Sequence, residues 1–158
     1  MRASCGGLLL FFAICGPAVA QEPHPLIGTW KLLSSQAIVE GQSPENTFGE
    51  HPKGYMIITR EGRVMALFTA DNRKGGMGDA ERTALHKSMV ALSGKYRIDG
   101  SSFVFTVDAS WNESWNGTEQ NRHFRIEGDK LIIETAPTPS IMHPGKTAVA
   151  KLVFERDK

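Results

Sequence analysis

The sequence predicts an all-β chain, an eight-stranded antiparallel up-and-down barrel with one helix between the third and fourth strands. Three observations carry this. Eight short runs show the alternation or aliphatic enrichment of strands. Tight glycine-containing turns alternate with long polar loops, so an up-and-down path gathers every tight turn at one end and every long loop at the other. The length, 158 residues, suits one domain with a substantial core. The expected shape is a cup with a closed base, a decorated mouth and room inside for one small ligand. A two-sheet sandwich would not sort its loop lengths in this way.

The first 20 residues stand apart. Arg2 supplies a positive start, Leu8 to Ile14 an apolar run too short to span a bilayer, and Ala18-Val19-Ala20 a small-x-small cleavage site. This pattern predicts a secretory signal peptide over 1–20, cut after Ala20, ahead of a barrel domain over 21–158, and a periplasmic or secreted protein. Both cysteines, Cys5 and Cys15, fall inside the signal, so the mature chain has no disulfide, thiol nucleophile or cysteine metal site. Without Arg2 the 18 basic residues become 17, equal to the 17 acidic ones, and no charge block stands out. Nucleic acid and anionic membranes are therefore not expected partners. No later apolar stretch approaches bilayer length, so no span is expected in the mature chain.

The strands follow in order. Residues 29–39 alternate, with Trp30, Leu32, Ser34, Gln36 and Ile38 on one face and Leu33, Ala37 and Val39 on the other. A loop rich in Gly, Pro, Asn and Ser runs over 40–52. Residues 54–60 and 63–69 form a hairpin across Glu61-Gly62. A glycine-laden loop over 70–78 leads to a helix predicted over 79–92, with Asp79 as N-cap, Glu81 in the first turn, and Ala84, Leu85, Ser88, Met89 and Leu92 on one face. Gly94 then stands just beyond its end. Residues 95–99 and 103–110 turn at Gly100-Ser101, and 118–127 and 130–135 at Gly128-Asp129. A proline-rich loop precedes the last strand, 147–156.

Trp30 and Arg156 then fall at the same closed end, where a guanidinium can stack on an indole. The chain here resembles the lipocalins, in which a Gly-x-Trp on the first strand and an arginine after the last close the barrel. It is more closely similar to the bacterial lipocalin-like domain family, a calycin-type barrel. The matching pieces are Leu26-Ile27-Gly28-Thr29-Trp30-Lys31-Leu32, Pro52-Lys53-Gly54-Tyr55, Glu61-Gly62-Arg63-Val64, Gly94-Lys95-Tyr96, Trp115 to Arg122, Gly128-Asp129-Lys130-Leu131 and Leu152-Val153-Phe154-Glu155-Arg156. The chain departs from the family at Phe154, where a tryptophan is frequent. The resemblance spans nearly all of 26–156 and implies the barrel, with Gly28, Trp30 and Arg156 as its structural base. It names no ligand.

Candidate binding residues come from strand parity. Phe124 and Ile126 belong to the core, so Gln120 and Arg122 also turn inward. Together they suit an acceptor-rich head such as a carboxylate, phosphate or enolate. The competing assignment pairs Arg122 internally with Glu119 or Asp108. Tyr55, Phe68, Met89 and Trp115 are the expected walls for an apolar body, and the helix, with Leu85 and Met89 facing in, a lid. The expected partner is thus a small hydrophobic or amphipathic molecule. The five histidines, His24, His51, His86, His123 and His143, show no metal-ligand spacing, and no nucleotide or serine-hydrolase motif occurs, so no catalytic residue, metal or cofactor is assigned. Two alternatives remain. One is an isomerase or cyclase in which Arg122 stabilises an oxyanion and His86 or Tyr96 moves a proton. The other is a filled barrel acting as a structural or interaction protein, signalled by an apolar outer patch around Leu33, Ala37 and Val39.

Overall fold

The computed structural model describes residues 24–139 and 145–158. The segment 1–20 expected to be a signal peptide, with Cys5 and Cys15, and His143 lie outside the described residues. The elements run β1 (Gly28–Val39), β2 (Glu45–Asn46), β3 (Lys53–Ile58), β4 (Arg63–Thr69), α1 (Asp79–Lys87), β5 (Met89–Asp99), β6 (Ser102–Ser110), a 3-10 turn (Glu113–Trp115), β7 (Glu119–Glu127), β8 (Lys130–Thr135), β9 (Thr138–Pro139) and β10 (Thr147–Arg156). Eight long antiparallel strands close on themselves: each pairs with the next long strand, and β1 pairs with β10. Full closure leaves no long sheet edge. The two-residue β2 and β9 lie beside the mouth ends of β1 and β10.

The helix follows the fourth strand, not the third, because the polar loop after β1 contains the short strand β2, which its composition conceals. It also ends at Lys87 rather than at 92. Met89 to Leu92 pair with Thr69 to Ala66, giving the mouth half of β4 its neighbour, while the Ser88 N–H closes the helix on the Ala84 and Leu85 carbonyls. The apolar spacing that reads as a helix face serves here as strand alternation, with Val90 and Leu92 turned inward. Gly94 is consequently a strand residue. A Cβ there would lie 2.3 Å from the Thr106 carbonyl oxygen, at a register shift where β5 bends across β6.

A second shift corrects the parity of β1. Its register against β10 slips between Leu32 and Ser34. One extra residue in a strand exchanges its faces. Trp30 and Leu32 point inward below the bulge, and Ser35, Ala37 and Val39 do so above it. Ala37 and Val39 therefore turn inward, which breaks up the outer patch expected around Leu33, and the large exposed apolar residues of the barrel wall lie elsewhere. They are Tyr55, Ile57, Met65 and Leu67 on the β3–β4 hairpin, paired across the ladder as Tyr55–Leu67 and Ile57–Met65.

The core fills the base. Trp30, Leu32, Ile58, Phe103, Leu131 and Phe154 are essentially inaccessible, and each stabilises the fold by roughly 1.5–3 kcal/mol. Leu26 seals this end from below, and its carbonyl accepts the Trp30 indole N–H at 2.8 Å. Toward the mouth the inward positions shrink to Ser35, Ala37, Ala66, Ala148 and Ala150, and the core gives way to a cavity.

Candidate functional site

The cavity has a volume of about 650 Å³, within the range of small-molecule sites. Its depth is apolar, walled by Met56, Phe68, Phe103, Phe105, Ile133 and Phe154. Polar groups gather on one side, where β7 meets β8. That ladder stops at the pair Arg122–Thr135. Beyond it Gln120 and Asn121 on one strand, and Ala136 and Thr138 on the other, line the cavity, so among the described residues the two strands part there, leaving a lateral gap, or window, in the ladder.

Arg122 reaches this position because β7 alternates without a bulge, its half-buried and exposed residues strictly interleaved. Its guanidinium donates to Gln120 Oε1 at 2.8 Å and to the Asn121 carbonyl at 2.9 Å, and it sits 5.8 Å from the Phe105 ring centroid. Gln120 Nε2 donates to Thr118 Oγ1 at 2.9 Å, and Thr118 donates to the Trp115 carbonyl at 2.7 Å. This run of bonds orients the Gln120 amide and holds Arg122 at the window. Burial pulls the Arg122 guanidinium below its ordinary pKa, and no carboxylate opposes that shift.

Neither acid weighed as an internal partner reaches Arg122. Glu119 holds Arg97 through both oxygens, at 2.7 and 3.2 Å. Asp108 accepts from Arg63 and from Ser93 Oγ on the outer face. Among the described residues Arg122 has no ion pair. The hydroxyls of Ser35 and Thr47, which line the opposite wall, lie 2.6 Å apart and satisfy each other.

Residues 27–157 match the family model of the lipocalin-like domain. The chain belongs to the lipocalin-like domain family. No curated protein matches it.

Within this lipocalin-like barrel, Gln120, Arg122, Phe68 and Trp115 line the cavity. Tyr55 does not. It is 45% exposed on the outer face, because Met56 takes the inward position beside it. Met89 also misses the cavity, as Val90 and Leu92 are the inward residues of β5. Helix α1 contributes no lining residue and buries none, so it is not the expected lid. Its His86 Nε2 meets the Trp111 carbonyl at 3.2 Å, and Trp111 stands edge-on to Trp115 at 4.8 Å.

The base residues form one unit. The Arg156 guanidinium lies 4.1 Å from the Trp30 ring centroid and donates to the Ile27 and Pro25 carbonyls. Gly28, at φ +143°, makes room for it, since a Cβ there would lie 2.6 Å from Arg156 Nη1.

Tyr96 belongs to this end too. Its hydroxyl donates to the Thr59 carbonyl at 2.7 Å, and burial raises its pKa. His86 lies at the mouth, and neither it nor Tyr96 lines the cavity that holds Arg122. The three groups weighed for acid–base chemistry thus do not share one cavity. Among the described residues no three His, Cys, Asp or Glu side chains cluster as a metal would require.

Sequence reasoning missed Thr135, Ala37 and Ala150. Thr135 carries a signal only in the ladder, as the partner of Arg122. Ala37 becomes visible only once the β1 bulge is placed.

Proposed function

We propose that this lipocalin-like protein binds a small, mostly apolar molecule in its barrel, with the polar head at Gln120 and Arg122 and the body against Phe68 and Trp115. The observation that carries this reading is an apolar cavity of about 650 Å³ whose wall contains a cation, Arg122, without an acidic partner among the described residues. A filled barrel would need neither the space nor the charge, and a half-buried charge left without a counter-charge costs stability. The signal-like pattern of Arg2, Leu8 to Ile14 and Ala18-Val19-Ala20 supports export, with the mature chain beginning at Gln21 in the periplasm or outside the cell.

The test is uptake of N-phenyl-1-naphthylamine, a neutral dye whose emission rises in apolar surroundings, by the purified protein. Native mass spectrometry of the same sample reads any molecule already bound. Saturable one-to-one uptake, lost in Ala37→Phe, is the expected result. No uptake and no co-purified molecule would overturn the reading. N-terminal sequencing of the exported chain checks cleavage after Ala20.

A further inference from the structure

We infer that the ligand of this cavity is a monocarboxylate with an apolar chain, bound as the anion, its head across Arg122 and Thr135 at the lateral window and its chain running toward Phe103 and Phe154. This rests on the binding reading above and names the chemical class it leaves open.

The hydrogen-bonding capacity of the window is lopsided. A guanidinium carries five N–H donors. Two of the five go to Gln120 Oε1 and the Asn121 carbonyl, which leaves three without an acceptor among the described residues. Thr135 Oγ1 accepts from the Ala150 N–H at 2.9 Å, so its own proton is free to be donated. Gln120 Nε2 gives one of its two protons to Thr118 and keeps the other. The window thus presents unfilled protons from three residues, Arg122, Thr135 and Gln120. Glu119, the acid at the rim, has both oxygens on Arg97. A head group that donates, such as an alcohol or an amine, finds little to donate to. An ionised carboxylate supplies acceptors only and a charge opposite to that of Arg122, in the planar two-oxygen shape that a guanidinium binds best.

Position gives the orientation. Arg122 and Thr135 form the last rung of the β7–β8 ladder, beside the opening, so the charged head stays near water and is not fully desolvated. The aromatic depth beyond offers no polar partner to a second charge. That excludes dicarboxylates and favours a single head on an apolar chain. Gln120 is a positioning residue here: it holds the guanidinium by its carbonyl oxygen.

The experiment compares dodecanoate, 1-dodecanol and dodecyltrimethylammonium as displacers of N-phenyl-1-naphthylamine at pH 8, on the wild-type protein and on Arg122→Met. Dodecanoate is expected to bind about 10–100-fold more tightly than dodecanol, the range of a charge-assisted pair, and the cation not at all. Arg122→Met should bring dodecanoate and dodecanol within about threefold of one another while the dye still binds. Equal affinity for dodecanoate and dodecanol in the wild type overturns the carboxylate assignment and leaves cavity binding standing. A preference that survives Arg122→Met overturns the role of Arg122. Failure of the dye and of all three amphiphiles to bind overturns both readings.

Discussion

Gln120 accepts a hydrogen bond from the Arg122 guanidinium at 2.8 Å, two residues along the same face of β7. The pair is neutral on one side, so the cation is held without being neutralised. Gln120→Glu reverses that by placing a carboxylate on the guanidinium. Dodecanoate affinity should fall more than about tenfold, dodecanol affinity should stay level, and thermal stability should hold or rise. A purely structural role for Gln120 would not separate the two probes. Displacement titrations with both amphiphiles, alongside a melting curve, check this.

Arg156→Ala removes a stacked cation and uncovers the Ile27 and Pro25 carbonyls. The expected loss is about 1–3 kcal/mol in urea unfolding, with dye affinity unchanged because the base lies at the far end from the window.

Gly28→Ala meets the same guanidinium from the other side. Backbone at φ +143° is strained for alanine, and the new Cβ would press on Arg156 Nη1. The single change should cost about 1–3 kcal/mol. Combined with Arg156→Ala, the total should be less than the sum by about 1 kcal/mol, since the clash disappears with the arginine. A double-mutant cycle by chemical denaturation measures the difference.

Ala37 and Ala150 face one another across β1 and β10, and both line the cavity. Ala37→Phe should fill that space, cutting dye uptake at least about tenfold with a stability change under about 1.5 kcal/mol. Leu33→Ser, at the bulge, should leave uptake unchanged. The two results together test the β1 parity.

Acid should loosen the outer face in a specific order of cause. The Asp108 carboxyl is held below its ordinary pKa by the Ser93 hydroxyl first and Arg63 second, Glu119 by Arg97, and Asp129 by Lys158. Folded values below the unfolded ones mean that these groups stabilise the protein above the ordinary carboxylate range. That contribution disappears as the pH falls through the lower folded values. All three are solvent-exposed, so the effect is small and salt-sensitive. Urea midpoints from pH 7 to pH 2.5, at low and high salt, should show a steeper acid decline in the wild type than in Asp108→Asn.

The barrel was legible because its signals are local. Gly-containing turns at 61–62, 100–101 and 128–129 mark the base, and the uninterrupted alternation of β7 turns Gln120 and Arg122 inward. What stayed hidden depends on partners distant in sequence. Nothing in Leu32 to Ser34 announces a bulge, because the extra residue is defined only against β10. Tyr55 reads as a wall because Ile57 and Ile58 are both apolar, and apolar residues on both faces erase the parity signal. Met89 reads as helical because strand and helix can share its apolar spacing over four residues. A cavity is also made by small side chains, and alanines carry little pattern of their own.

The ladder between β1 and β10 has a consequence for the order of events in the cell. Arg156 and Ile27, bonded at this junction, are 129 residues apart in the chain. A nascent chain that has not yet delivered residues 147–156 holds both β1 and β8 with an unpaired side. Closure is therefore a late step, governed by the slowest kind of contact to form. Such a chain stays open to a holding chaperone until residues 147–156 arrive, and it is exposed to edge-to-edge aggregation over the same interval.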